Sequence, residues 1–176
     1  MTKNTYKRRL RGRVAVFVAL AAVAIALDQV TKALALARLG KGVSVALPGP
    51  LHGLRLVRNP GASLGLGSGS TWVISLIALA ACLLIIVLAL RTTSMAWTLA
   101  LSLAFSGAAG NLIDRVAYAS GFLDGAVVDF LDYGWSVGNV ADIYLTLAGV
   151  AVVVLIFCNV RFSDRPGTPE HGGEAK

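Results

Sequence analysis

Four long runs of apolar residues dominate the chain, and they decide which folds are open to it. The first runs from about Val14 to Leu36, the second from Trp72 to Leu90, the third from Met95 to about Ile113 and the fourth from Asn139 to Val160. A hydrocarbon core of roughly 30 Å takes about 20 helical residues to cross, so each run is long enough to span. In lipid the backbone must satisfy its own hydrogen bonds, which leaves helices and closed barrels, and long continuous runs specify helices. Only 9 of 176 residues are acidic and 56% are hydrophobic, which excludes a disordered chain and argues against an ordinary soluble domain. The expected fold class is an all-α membrane protein, a four-transmembrane-helix bundle over residues 14–160.

The net charge is +7, and its placement carries more information than its size. Lys3, Lys7, Arg8, Arg9, Arg11 and Arg13 precede the first run with no acid among them. Basic residues beside a membrane segment set its orientation, so residues 1–13 read as a cytoplasmic basic tail rather than a nucleic-acid-binding arm. Arg91, between the second and third runs, agrees. Both termini are then cytoplasmic, and loops 38–71 and 114–138 face outward. Arg38, Lys41, Arg55 and Arg58 count against this orientation, but the N-terminal cluster is the stronger signal. The N-terminus also resembles a signal peptide ending near Ala33-Leu34-Ala35. The apolar stretch continues to about Leu39, longer than a typical signal core, so the segment is expected to be retained. Residues 161–176, with Pro166, Gly167, Pro169, Gly172 and Gly173, read as a disordered cytoplasmic tail. In the first outer loop Val43, Val45 and Leu47 alternate with small or polar residues, Pro48-Gly49-Pro50 marks a turn, and Leu54, Leu56 and Val57 follow. That pattern predicts a small strand-rich element outside the membrane.

Several chemistries have no residues to support them. Cys82 and Cys158 sit mid-run and read as packing residues, and His52 and His171 are isolated, so no metal site is expected. Gly65, Gly67 and Gly69 lack the Lys-Ser/Thr that a phosphate loop needs.

The polar residues near the membrane boundary are the candidates for function, because acids there are costly. Asp28 and Lys32 are four apart in the first run and share a helix face, which suits a structural ion pair. Asn59-Pro60-Gly61-Ala62 is either a turn before a helix or an amide placed to bind a substrate backbone. The third run ends Gly110-Asn111-Leu112-Ile113-Asp114-Arg115 and the fourth opens Gly138-Asn139-Val140-Ala141-Asp142. Each unit places an Asn and an Asp on one helical face. Asn139 with Asp142 also fits a helix N-cap. Asp114 lies at a helix C-terminal end, where an acid is unfavourable, so Arg115 is expected to compensate it by pairing with it or with another nearby acid. Two carboxylates close together can share a proton and do acid–base work. Repetition of the motif favours Asp114 as the partner of Asp142. Arg115, which should hold Asp114 ionised, favours Asp129 instead, between Val128 and Phe130, where an apolar pocket would raise its pKa. Asp132 has the same claim more weakly. On residues alone the choice stays open.

Asp28-Gln29-x-Thr31-Lys32, Asn59-x-Gly61-Ala62, Gly110-Asn111-Leu112-Ile113-Asp114-Arg115, Val128-Asp129-Phe130 and Asn139-x-Ala141-Asp142 occur in the order found in lipoprotein signal peptidases (signal peptidase II), which the chain resembles across all four runs. The resemblance implies an intramembrane aspartic endopeptidase of the bacterial cell membrane, with its active site near the outer face. Such enzymes cut prolipoproteins just before a cysteine that carries a diacylglyceryl group. It implies Asp129 and Asp142 as the catalytic dyad and Asn111, Asp114, Arg115 and Asn139 as the surrounding polar shell. Asp28, Lys32, Asn59 and Gly61 take supporting or substrate-contacting roles. It further implies no metal and no cofactor, a small outer β-element and a short outer helix. The expected partners are the lipidated precursor and membrane lipids, with the protein acting as a monomer. The chain departs from the family pattern at Ser63-Leu64, at Gly138 where Phe commonly precedes the Asn, and in the short stretch of 12 residues between the two acids, which lacks the usual Pro. A proton-coupled transporter would use deep charges in several spans. Here the second and third runs are free of charge along their lengths and the acids gather near one face, which favours catalysis at the surface. A scaffold using the acids only as helix glue leaves the ordered motifs unexplained.

Overall fold

The structure is a computed structural model that describes residues 3–40, 42–49, 51–61 and 67–163. Four helices, α1 (Lys3–Arg38), α2 (Thr71–Arg91), α3 (Met95–Ala117) and α4 (Val140–Phe157), are accompanied by strands β1 (Ser44–Ala46), β2 (Gly53–Asn59), β3 (Val127–Asp132) and β4 (Val137–Gly138). All four helices are long and apolar enough to cross a membrane, the first from Arg8. The fold is therefore that of a multi-pass, mostly helical membrane protein. The basic segment read as a tail is helical from Lys3, because nothing between it and Val14 breaks the helix. Of the expected tail at 161–176, residues 164–176 lie outside the described residues, as do Lys41, Ala62 and Ser63-Leu64.

Helix α3 is the centre of the bundle and packs against each of the other three. Most of its buried positions are small or hydroxylated: Thr98, Ala100, Ser102, Ser106, Gly107 and Gly110, beside Leu101, Asp114 and Arg115. Apolar side chains gain little from leaving lipid for a helix interface, so close backbone approach and interhelical hydrogen bonds hold such bundles together. Ser102 Oγ donates to the Phe17 carbonyl at 3.0 Å. A Cβ added at Gly107 would lie 2.5 Å from the Ala141 carbonyl oxygen, which shows how closely α3 and α4 meet. The interior mixes small apolar residues with many polar and charged ones, and the outside is apolar. Lys32, Asn139, Asp28, Asp114 and Asp129 are among the largest fully buried side chains, while Ile77, Leu83 and Phe157 are exposed. That inversion is what a lipid solvent requires.

The strands form one antiparallel sheet in the order β1-β2-β3-β4. The strand pattern of the first outer loop predicts β1 and β2. The second loop supplies β3 and β4, which its acidic composition had hidden. The short outer helix expected in the second outer loop is absent from residues 118–126, and a single 3-10 turn at Ser68–Ser70 leads into α2 instead. The sheet caps one end of the bundle, where Phe130 packs with Ala35 of α1 and with Leu39 just beyond its end. The other end is closed by the residues between α2 and α3. Thr92 Oγ1 donates to the Phe162 carbonyl at 2.6 Å and Trp97 Nε1 to the Val160 carbonyl at 2.9 Å. Arg13 near the start of α1 reaches the Thr93 carbonyl, so both ends of the described chain lie at this end.

Candidate active site

Strand geometry delivers the first carboxylate. Side chains alternate along a strand, so Val127 and Asp129 point into a cavity of about 470 Å³ while Phe130 faces α1. Asn59 pairs with Val127 in register, diagonal to Asp129, and its Nδ2 donates to Asp129 Oδ2 at 2.9 Å. Asn59 Oδ1 is held in turn by the Gly61 N–H at 3.0 Å.

Helix capping delivers the second. Asn139 is the N-cap of α4 and Asp142 its third residue, in a reciprocal capping box. Asn139 Oδ1 accepts from the Asp142 N–H at 3.0 Å and Asp142 Oδ2 accepts from the Asn139 N–H at 3.1 Å. Two orphan donors of the helix start are thereby satisfied, and Asp142 is fixed in the first turn of α4.

Amides join the two acids. Asn139 Nδ2 donates to Asp129 Oδ1 at 2.6 Å and to Asn111 Oδ1 at 3.0 Å. Asn111 Nδ2 donates to Asp142 Oδ1 at 2.9 Å. An Asn side chain donates without carrying charge, so the carboxylates are oriented without a cation to fix their protonation. Asp129 is only 2% exposed. Burial pushes its carboxyl up to about 6, the Asn59 hydrogen bond opposes this, and the neighbouring charge of Asp142 adds to it. Both acids line the cavity with Asn59, Asn111, Arg115 and Tyr133, and its far wall is apolar, formed by Ile74, Ile77, Ala78, Ala108 and Leu145.

Behind the dyad lies a buried ionic layer. Lys32 Nζ is 2.9 Å from both Asp28 Oδ2 and Asp114 Oδ2 and donates to Asn111 Oδ1 at 3.1 Å. Each of these acids grips the backbone one residue before a member of the dyad. Asp28 Oδ1 accepts from the Ala141 N–H at 2.9 Å and Asp114 Oδ2 from the Val128 N–H at 3.0 Å. Through these two acids Lys32 ties α1 to the elements that carry Asp129 and Asp142.

The sequence model of the family described as signal peptidase (SPase) II matches residues 20–158. The chain belongs to the signal peptidase II family. A lipoprotein signal peptidase of Bifidobacterium adolescentis is 61% identical over 159 residues, covering 90% of this chain and 85% of that one. One from Rhodococcus jostii is 40% identical, covering 86% and 74%. A solved structure described as a bacterial membrane enzyme superposes with a TM-score of 0.72 at 26% identity, covering 86% of this chain and 95% of that one.

Within this signal peptidase II fold the residues singled out in the sequence gather in two layers. Asn59, Gly61, Asn111, Arg115, Asp129 and Asp142 line the cavity with Asn139 buried between Asp129 and Asn111, and Asp28, Lys32 and Asp114 stand behind them. Two expectations are corrected. Asp114 pairs with Lys32 rather than Arg115, and Arg115 shows no ion pair with any described acid. Helix geometry directs its guanidinium to carbonyls instead, those of Gly61 at 2.9 Å and Asn111 at 3.3 Å. Asp132 does not share the environment of Asp129. It lies near solvent on the Arg55 guanidinium, which together with the Gly134 N–H lowers its pKa.

The departure at Gly138 has a local reason. A Cβ there would lie 2.9 Å from Asp142 Oδ2 and 3.3 Å from the Tyr133 ring, so Tyr133 takes up the space beside it. Tyr133 and Gln29 were missed as site residues. Gln29 Nε2 donates to Asp28 Oδ2 at 3.1 Å and to Asp114 Oδ1 at 3.2 Å. It stands inside the quoted Asp28–Lys32 motif, but the spacing rule that paired Asp28 with Lys32 passes over an adjacent residue.

Proposed function

We propose that this chain is a membrane aspartic endopeptidase that removes signal peptides from bacterial prolipoproteins, cleaving before the diacylglyceryl-modified cysteine. The observation that carries the reading is the Asp129–Asn139–Asn111–Asp142 chain, whose two acids stand on the polar side of a largely apolar cavity. In this reading Asp142 takes a proton from a water held between the acids, and the resulting nucleophile attacks the scissile carbonyl. Asp129 enters protonated, hydrogen-bonds the carbonyl oxygen and gives it the proton as the tetrahedral intermediate forms. Collapse returns that proton to Asp129, while the proton on Asp142 passes to the departing amine, so the dyad ends as it began. With a pKa of about 6 Asp129 holds its proton in about one molecule in ten at pH 7, and water expelled by substrate raises that share.

The apolar wall continues into the lipid-exposed surface at Ile77 and Leu145. The diacylglyceryl chains can therefore stay in the bilayer while the peptide bond reaches the dyad. The basic start of α1 supports cytoplasmic termini with the site at the outer face, and the dyad and its polar shell all come from one chain, which supports action as a monomer. Purified protein should be incubated with a diacylglyceryl-modified precursor and with its unmodified form. Cleavage of the lipidated one alone is expected. Equal cleavage of both, or of neither, would refute the reading.

A further inference from the structure

The end of the bundle opposite the dyad holds a charged side chain that orientation in the membrane does not explain. A topogenic arginine needs only to lie outside the bilayer, as the exposed Arg8, Arg9 and Arg11 can. Arg13 is instead 6% exposed. Its Nη1 makes a long hydrogen bond of 3.4 Å to the Thr93 carbonyl, and its Nε and Nη2 are buried with no hydrogen-bond partner among the described residues. The described acids, Asp28, Asp114, Asp124, Asp129, Asp132 and Asp142, all belong to the other half of the molecule. A buried guanidinium with two unmet donors calls for an anion.

A groove begins beside it. A cavity of about 400 Å³ is lined entirely by apolar residues of α1, α2 and α3, including Val14, Phe17, Ala22, Ile25, Leu90 and Phe105. Val14 follows Arg13 on α1, and Leu90 lies three residues before Thr93, whose carbonyl Arg13 reaches, so Arg13 stands beside the end of the groove nearest the α2–α3 connection. Its lipid side is open, since Val18, Ala22 and Leu90 are exposed. From Val14 to Ile25 the groove follows α1 for about 16 Å at 1.5 Å per residue. That is about half of the roughly 30 Å hydrocarbon core, the depth of one leaflet.

We propose that this groove binds one anionic glycerophospholipid, with a phosphate oxygen on Arg13 Nε and Nη2 and an acyl chain along α1 between Phe17 and Ile25. An Arg fork matches phosphate oxygens in pairs, and basic pockets between membrane helices take acidic headgroups. The site is remote from the dyad and would hold α1 against α2, which otherwise meet through few residues.

Full-length protein, purified in detergent, is titrated with phosphatidylglycerol or phosphatidylcholine and bound lipid is counted by native mass spectrometry. One phosphatidylglycerol should bind most tightly, with phosphatidylcholine weaker. Arg13→Gln should weaken phosphatidylglycerol about tenfold, the loss of one charged hydrogen-bonding group. Ala22→Phe fills the groove from its lipid side without disturbing a buried contact, and should weaken binding similarly with an unchanged melting temperature. Wild-type affinity in either variant, or equal binding of the two lipids, overturns the proposal. So does a protein that binds phosphatidylglycerol only after residues 164–176 are removed, because Asp164, Glu170 or Glu174 would then be the natural partner of Arg13.

Discussion

Replacing Lys32 with Met removes one charge from a site that holds three. The ammonium is 2% exposed and lies 2.9 Å from each of two carboxylates, Asp28 and Asp114, that are themselves 0% and 1% exposed. Methionine keeps most of the length and apolar stem, so the loss is chiefly electrostatic. Two buried carboxylates are left facing each other with only neutral donors, Gln29 and the backbone of Ala141 and Val128. Removing one partner of a buried ion pair costs about 3–5 kcal/mol. For a chain of this size that corresponds to a fall in melting temperature of about 6–20 °C. Cys82 is buried and Cys158 exposed, so in a Cys158→Ser background thiol labelling of Cys82 reports unfolding in detergent. Adding Asp28→Asn and Asp114→Asn removes the uncompensated charges and should recover part of the loss. A Lys32→Met protein melting within about 2 °C of wild type, or a triple variant no more stable than the single one, would contradict the ionic layer described above.

Three further outcomes follow from the same geometry. Because burial raises Asp129 to about 6 and its protonated form is the one required, kcat/KM on a lipidated precursor should fall as pH rises from 6 to 8, approaching tenfold per unit; a flat profile over that range argues against Asp129 as the acid. Asn139→Ala removes the cap of α4 and the 2.6 Å hydrogen bond to Asp129, and should lower kcat about a hundredfold while KM changes little, measured with saturating precursor. Gly107→Ala places a Cβ 2.5 Å from the Ala141 carbonyl oxygen and 2.6 Å from Leu145 Cγ, and should destabilise by about 1–3 kcal/mol in the same labelling assay.

The four spans and the Asp28–Lys32 pair were legible because both depend on local spacing: twenty apolar residues for a span, four residues for a helix face. The Asn139–Asp142 capping box was legible for the same reason. The residues alone left the partner of Asp142 open, since it depends on which strand neighbours which helix. The repeated Asn-x-x-Asp unit pointed as readily to Asp114; in the folded chain Lys32 pairs with Asp114, while Asp129 and Asp142 are joined through the amides of Asn139 and Asn111. Arg115 was misjudged on adjacency. Neighbours on a helix point about 100° apart, so its guanidinium leaves Asp114 and meets the carbonyl of Gly61, a residue brought in from the first outer loop. Strands β3 and β4 were hidden because β3 is made by pairing with the distant β2 and β4 by pairing with β3, and no alternation in the second loop announces either.

The dyad itself is tested most directly by single Asp129→Asn and Asp142→Asn substitutions, assayed as purified, folded protein on a diacylglyceryl-modified precursor. Each keeps the shape of the side chain and removes its ability to exchange a proton. Cleavage should be abolished in both while the melting temperature stays close to that of wild type. Full activity in either folded variant would contradict the assignment.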